Sequence, residues 1–141
     1  MSNKLTTTKR IKIRFNEVDS LGIVWHGHFV KYLEDGREDF GEKHGLTYLD
    51  FKDNNFAIPI VKCEISYKKT IEYGVEVDVE TTYHDSEAAK LVFYYRLLNP
   101  INGDLLATAK TIQVFTSFEK EMSFVAPEFF TNWRKKQGLI K

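Results

Sequence analysis

The chain has 141 residues, with 20 lysines and arginines balanced by 20 aspartates and glutamates, 43% hydrophobic and 28% charged residues, and one cysteine. A chain of this length suits one domain, expected over residues 1–141, and buries roughly two-thirds of its unfolded surface without a disulfide or metal staple. The cancelled charge gives no support to a nucleic-acid partner, and the single Cys63 excludes an intrachain disulfide or a multi-cysteine zinc site. With no apolar signal core in MSNKLTTTKR and no apolar run near the ~20 residues of a membrane span, the expectation is a cytoplasmic protein.

Residues 9–17, KRIKIRFNE, alternate, with Ile11, Ile13 and Phe15 on one face, which predicts a half-buried strand. DSLG follows, with Asp19 first and Gly22 fourth, a type I turn pattern. From Gly27 to about His44 the period becomes helical, with Phe29, Tyr32, Leu33 and Phe40 on one side. Gly45 is placed to end this helix in the left-handed cap conformation, while Gly36 and Gly41 would let a sheet approach closely. Strand signals dominate the rest. IPIVKCEISY puts Val61, Cys63, Ile65 and Tyr67 on one face, VEVDVETTY sends Val75, Val77 and Val79 inward, and KLVFYYRLL is apolar on both faces. After the turn INGD, LLATAKTIQVF aligns Ala107, Ala109 and Thr111, small enough for a helix to lie against. Pro127 opens a short last helix, PEFFTNWRKKQ. The order predicts a two-layer α+β domain: a five-stranded antiparallel sheet wrapped around a helix of about 18 residues, roughly 27 Å long.

The corner RFNEVDSLGIVWHGHF, residues 14–29, crowds Glu17, Asp19, His26 and His28 between strand and helix. The flank IVWHGHF offers no Ser, Thr, Asp or Asn directly before the helix, so the first amides are open to an outside acceptor such as an oxyanion or carbonyl. Gly27 would admit a ligand close to the backbone. A carboxylate at Asp19 beside such amides suits hydrolysis of an activated carbonyl, attacking directly or deprotonating water. Asp19 equally suits the first position of a plain turn.

The other polar residues of the chain read structurally. Glu17 reads as an inward strand end. His26 and His28, two apart, share no helix face, so no metal site is expected. His44 reads as a helix C-terminal charge, His84 as a turn residue and Cys63 as a small core residue. Lys68 and Lys69 in SYKKT read as a solvated strand end, and RKKQ at 134–137 as a solvated helix face.

RFNEVDSLGIVWHGHFVKYLEDGREDF resembles the hotdog-fold acyl-CoA thioesterases of the 4-hydroxybenzoyl-CoA thioesterase type, with Asp19, Gly22, Val24, His26, Phe29 and Arg37 in matching places. The resemblance extends through ISYKKTIEYGVEVDVET, NGDLLATAKTIQVF and the Pro127 helix, and departs from the family at Thr70 (often Pro) and Val75 (often Asp). It implies a hotdog fold and hydrolysis of a small or medium acyl-CoA to free acid and CoA. In that reading Asp19 is the catalytic carboxylate, the backbone amides at His26, Gly27 and His28 polarise the thioester carbonyl, and the His26 ring is a second catalytic group. No cofactor is implied, since CoA is part of the substrate. Lys68 and Lys69 are the candidates for its phosphates. The family forms homodimers joined edge to edge, often paired into homotetramers, with active sites between subunits. Two alternatives remain at this level: a hotdog hydratase or dehydratase using His26 with Glu34 or Glu38, and a non-catalytic acyl-CoA binder.

Overall fold

The structure is a computed structural model describing residues 4–119 and 121–141, Lys4 by its backbone alone. Strand β1 (Lys4–Lys12) leads through two single-turn 3-10 segments (Phe15–Glu17 and His26–His28) into helix α1 (Phe29–His44) and the short α2 (Tyr48–Asp53). Strands β2 (Phe56–Ala57), β3 (Ile60–Tyr67), β4 (Glu76–His84), β5 (Lys90–Leu98), β6 (Leu105–Val114) and β7 (Thr116–Ser117) follow, and α3 (Glu128–Lys136) closes the chain. One antiparallel sheet runs β1-β4-β5-β6-β3, while β2 and β7 form a separate two-stranded ribbon.

Helix α1 lies across the β1–β4 side of the sheet. Its apolar face (Phe29, Tyr32, Leu33, Phe40) packs on the inward residues Val77, Val79, Tyr83, Phe93, Tyr95 and Leu97. Contact is closest at Gly36, where a Cβ would collide with Thr81 Oγ1 and Val79 Cγ1. Gly41, expected to face the sheet as well, instead sits under the Leu46 carbonyl of the chain leaving the helix. The helix ends at Gly45 with φ 71°, the left-handed cap its sequence predicts. On the outer face, Arg10 pairs with Asp78 and Arg96 with Glu80, each through two hydrogen bonds, so charged stripes line the solvent side.

Several expectations are corrected. β1 stops at Lys12 because the Glu17 carboxylate accepts the Arg14 amide at 2.7 Å and turns the chain, burying Glu17 and leaving Phe15 77% exposed. Regular α-helix begins at Phe29, with Gly27 inside the preceding 3-10 turn. Helix α2 stands where the strand signals predict no helix, started by a reciprocal capping box of Thr47 and Asp50. β3 alternates as read, but its shared face is largely open because α1 does not cover this edge strand; Cys63 is exposed, not core. β5 buries Leu91, Phe93, Tyr95 and Leu97 under the helix, while on its other face Tyr94 and Arg96 stay exposed and only Val92 is buried.

The end of the chain is also less solvated than RKKQ suggests. Trp133 stacks on Phe130 at 5.6 Å and donates Nε1–H to the His44 carbonyl at 2.6 Å, tying α3 to the end of α1. His44 therefore serves as an acceptor at a helix junction, with its ring against Phe40 at 4.6 Å. Arg134 is buried, its guanidinium meeting Asp85 at 2.7 and 2.8 Å. His84 closes β4 rather than lying in a turn, and its ring packs on Tyr94 at 4.3 Å.

Candidate active site

The crowded corner is a small hairpin laid against the loop before β4. Val18 and Val24 bridge, the Asp19 amide donates to the Ile23 carbonyl at 2.8 Å, and the Gly22 amide donates to the Asp19 carbonyl at 3.0 Å. The last of these is the predicted turn bond. Gly22 follows it at φ 78°, a conformation glycine adopts without steric cost, so the turn can reverse within three residues. The Val24 amide then donates to the Ile71 carbonyl at 2.7 Å, and Tyr73 N–H to the Gly22 carbonyl at 3.1 Å, fixing the hairpin to residues 71–73.

Asp19 is both a turn residue and an exposed carboxylate. Oδ1 accepts the Leu21 amide at 2.8 Å, which orients the group. Oδ2 has no protein donor among the described residues, leaving one oxygen available for chemistry. Glu17 behaves differently. Its buried carboxylate holds the Arg14 amide and lies 3.4 Å from Lys31 Nζ on α1, while its carbonyl accepts the Trp25 amide at 3.1 Å. Glu17 is thus a latch between hairpin and helix. Burial, followed by the neighbouring Glu17 charge, pushes the Tyr32 phenol above its ordinary range, which keeps Tyr32 neutral in this core.

Residues 26–28 carry the amides that precede α1. No side chain caps either the 3-10 turn or the helix. The His28 amide donates to the Trp25 carbonyl at 2.9 Å, so it is committed internally. The amides of His26 and Gly27 meet no acceptor among the described residues. The Trp25 indole covers the Cα of Gly27, where a Cβ would overlap the ring, and lies between the His26 ring at 5.1 Å and the His28 ring at 5.5 Å. Gly27 is therefore small for the tryptophan; the open approach it was expected to give a ligand is occupied by that ring.

A cleft of about 330 Å³ brings Asp19 and His26 together with Lys68 and Lys69, walled by Ile23, Trp25, Phe29 and Tyr67. The lysines reach it because their amides both donate to the Leu106 carbonyl, at 2.9 and 3.0 Å, which curls the chain off the end of β3. Lys69 Nζ is paired with Asp104 at 2.8 Å, whereas Lys68 Nζ meets no carboxylate among the described residues. Tyr67, which sequence reading treats only as a strand residue, lies across the corner: its hydroxyl donates to the His26 carbonyl at 3.0 Å. Its position at the end of the β3 alternation was the available signal.

Glu34 and Glu38 are elsewhere. They line a different cavity of about 610 Å³ between α1, α2 and strands β5 and β6, together with Arg37, Phe40, Phe51 and Phe93. Arg37 also donates to the Tyr95 hydroxyl at 3.1 Å. An acid–base pair of His26 with Glu34 or Glu38 is not assembled in this chain's Asp19 cleft.

Comparison with known proteins agrees with the architecture. The pattern of the thioesterase-like superfamily matches residues 13–134. YneP of Bacillus subtilis (strain 168), provisionally assigned as an acyl-CoA thioesterase, is 30% identical over 125 residues, covering 89% of this chain and 90% of that protein. The DHNA-CoA thioesterase of Staphylococcus aureus superposes with a TM-score of 0.83 at 25% identity, covering 95% of this chain and 92% of that one. Slr0204, a 1,4-dihydroxy-2-naphthoyl-CoA thioesterase from Synechocystis, shares the fold with a TM-score of 0.81 at 20% identity, covering 91% and 94%. None of the described helices is long and apolar enough to cross a membrane. The chain belongs to the thioesterase-like superfamily and is a hotdog-fold thioester hydrolase.

Proposed function

We propose that this protein hydrolyses a small or medium acyl-CoA to the free acid and CoA, with Asp19 as nucleophile or general base. The observation that carries the reading is the meeting, in one cleft, of Asp19, whose carboxylate is oriented by the Leu21 amide, with His26, whose amide has no acceptor among the described residues and stands just before a helix. The His26 amide receives the thioester oxygen as negative charge develops on it. Asp19 supplies the attacking oxygen itself or takes the proton from the attacking water. The carbon–sulfur bond then breaks and CoA leaves as a thiolate; after direct attack, water opens the resulting Asp19 anhydride to release the acid and restore the carboxylate. The His26 ring, exposed at the mouth of the cleft, is placed to share that charge or pass a proton.

The decisive assay is release of free thiol from a panel of short, long and aromatic acyl-CoAs. Release separates a hydrolase from a hydratase or a binding protein. A change in enoyl absorbance without thiol release would favour the hydratase.

Lys68 and Lys69 suit the CoA phosphates, and binding through them weakens as salt rises. The double variant Lys68→Ala, Lys69→Ala is expected to raise KM for acyl-CoA roughly fivefold, about 1 kcal/mol, the usual worth of exposed ionic contacts. Turnover stays as it was. An unchanged KM removes these lysines from the site.

The assembly proposed is a homodimer or homotetramer with shared sites. β3 is an eight-residue sheet edge, with Val61 59% exposed and Cys63 open, and it runs to Tyr67 at the cleft. Such an edge invites pairing with a second copy. Size-exclusion chromatography with light scattering is expected to show at least twice the 16.5 kDa chain mass. A monomer at micromolar concentration would contradict the shared site.

A further inference from the structure

We propose that Gln113 is a specificity-determining residue for the acyl group, recognising a hydroxyl at the end remote from the thioester inside the cavity of about 610 Å³. The proposal rests on the reading of the protein as a hydrolase with sites shared between copies. Gln113, on the inward face of β6, is 5% exposed and lines that cavity. Its Nε2 donates to the Ile58 carbonyl at 3.0 Å, which fixes the amide, and its Oε1 accepts nothing among the described residues. Phe40, Leu46, Phe51, Leu91 and Phe93 make apolar walls around it. Filling the cavity with hydrocarbon alone strands this buried oxygen without a donor, whereas a ligand hydroxyl satisfies it.

The charge around the cavity narrows the group further. Glu34, Glu38 and Glu42, spaced four apart on α1, are exposed and line the same cavity, so they repel an acyl chain that ends in a carboxylate. An ammonium would have to shed its water among aromatic walls. A neutral hydroxyl meets neither cost. The acyl group arrives from a second copy. Within one chain this cavity and the Asp19 cleft share no lining residue. Strand β3 starts at Ile60, just after Ile58 on the cavity wall, and ends at Tyr67 in the cleft. When β3 pairs antiparallel with β3 of a second copy about a two-fold axis, the end of one strand lies beside the start of the other. The Asp19 cleft of one copy then adjoins the cavity of the other, and a thioester held in the first directs its acyl group into the second.

The test uses the full-length protein in its native oligomer and two matched pairs of substrates, ω-hydroxyoctanoyl-CoA with octanoyl-CoA and p-hydroxyphenylpropanoyl-CoA with phenylpropanoyl-CoA. In at least one pair the wild type is expected to favour the hydroxylated member in kcat/KM by about tenfold, as for a hydrogen bond to an otherwise unpaired buried group. Gln113→Leu is expected to bring that ratio to about one or below. Because the ratio is taken within one protein, partial unfolding from the loss of the Ile58 contact does not disturb it. Hybrid dimers of one Asp19→Asn chain and one Gln113→Leu chain, isolated through two tags, locate the acyl group. Their working site combines an intact Asp19 with an intact Gln113 only if the two come from different copies, so the hydroxyl preference is expected to persist. Equal rates within both pairs, a Gln113→Leu enzyme that keeps the preference, or a hybrid that loses it overturns the proposal. A wild type that releases no thiol from any acyl-CoA overturns the reading of the Asp19 site instead. Calorimetry with p-propylphenol then decides for the cavity: tighter binding to wild type than to Gln113→Leu upholds Gln113 as the hydroxyl acceptor, and equal or absent binding overturns it.

Discussion

Asp19→Asn is expected to abolish nearly all activity, a fall in turnover of roughly two to four orders of magnitude, while leaving the protein folded. The turn it occupies tolerates the change. Asn retains a side-chain oxygen for the Leu21 amide, now 2.8 Å from Oδ1, and Asn suits the first turn position as well as Asp does. Stability should change by at most about 1 kcal/mol. What the substitution removes is the charge and the proton acceptor at Oδ2, the oxygen without a protein partner among the described residues. A variant that melts normally, keeps its oligomeric state and turns over at the wild-type rate would make the corner a turn and nothing more. His26→Ala is expected to cost less than Asp19→Asn, because the backbone amide at position 26 survives the loss of the ring. Single turnover in H₂¹⁸O extends the test: label found in the Asp19 carboxylate marks direct attack, since only a mixed anhydride opened at the aspartyl carbon puts solvent oxygen there.

What the sequence discloses about this site is the local geometry, and what it hides is coverage. The Asp19 turn, the left-handed Gly45 cap and the inward Val77 and Val79 each follow from spacing over a few residues, and each is found. Cys63 fails for a different reason. Alternation correctly assigns it to a face of β3, but the burial of that face depends on where α1 lies, and α1 covers β1 and β4 instead. Glu17 falls in between: it points inward as read, but not from a strand. The pattern Ile11, Ile13, Phe15, Glu17 continues a strand on paper, but a carboxylate three residues ahead of the Arg14 amide offers the backbone a competing partner and ends it. The candidates Asp19 and His26 lie seven positions apart, so a single local motif contains both. Lys68, Lys69 and Tyr67 come to them only through the pairing of β3 with β6, which no local pattern encodes.

The largest expected effect on stability lies far from the cleft. Arg134→Met is predicted to destabilise the fold by about 3–5 kcal/mol at neutral pH, the usual result of removing one partner from a buried ion pair. Both side chains are only 5% exposed, and the guanidinium meets the Asp85 carboxylate through two hydrogen bonds. Burial alone would raise the Asp85 carboxyl, but the Arg134 hydrogen bonds and charge, with the Tyr83 hydroxyl at 2.9 Å, outweigh it and hold the group below the usual carboxylate range. Met keeps much of the volume of Arg134 but leaves Asp85 with Tyr83 as its only side-chain partner among the described residues. The pH dependence follows from the sign of the shift. A lowered carboxyl contributes stability that is fully present above its unfolded value of about 3.8 and is lost as pH falls through the folded value. The stability gap between wild type and Arg134→Met, measured by urea unfolding, should thus be widest at neutral pH and close below about pH 4. A gap under 1 kcal/mol at pH 7, or one that does not narrow in acid, would show that the Arg134–Asp85 pair is not what holds α3.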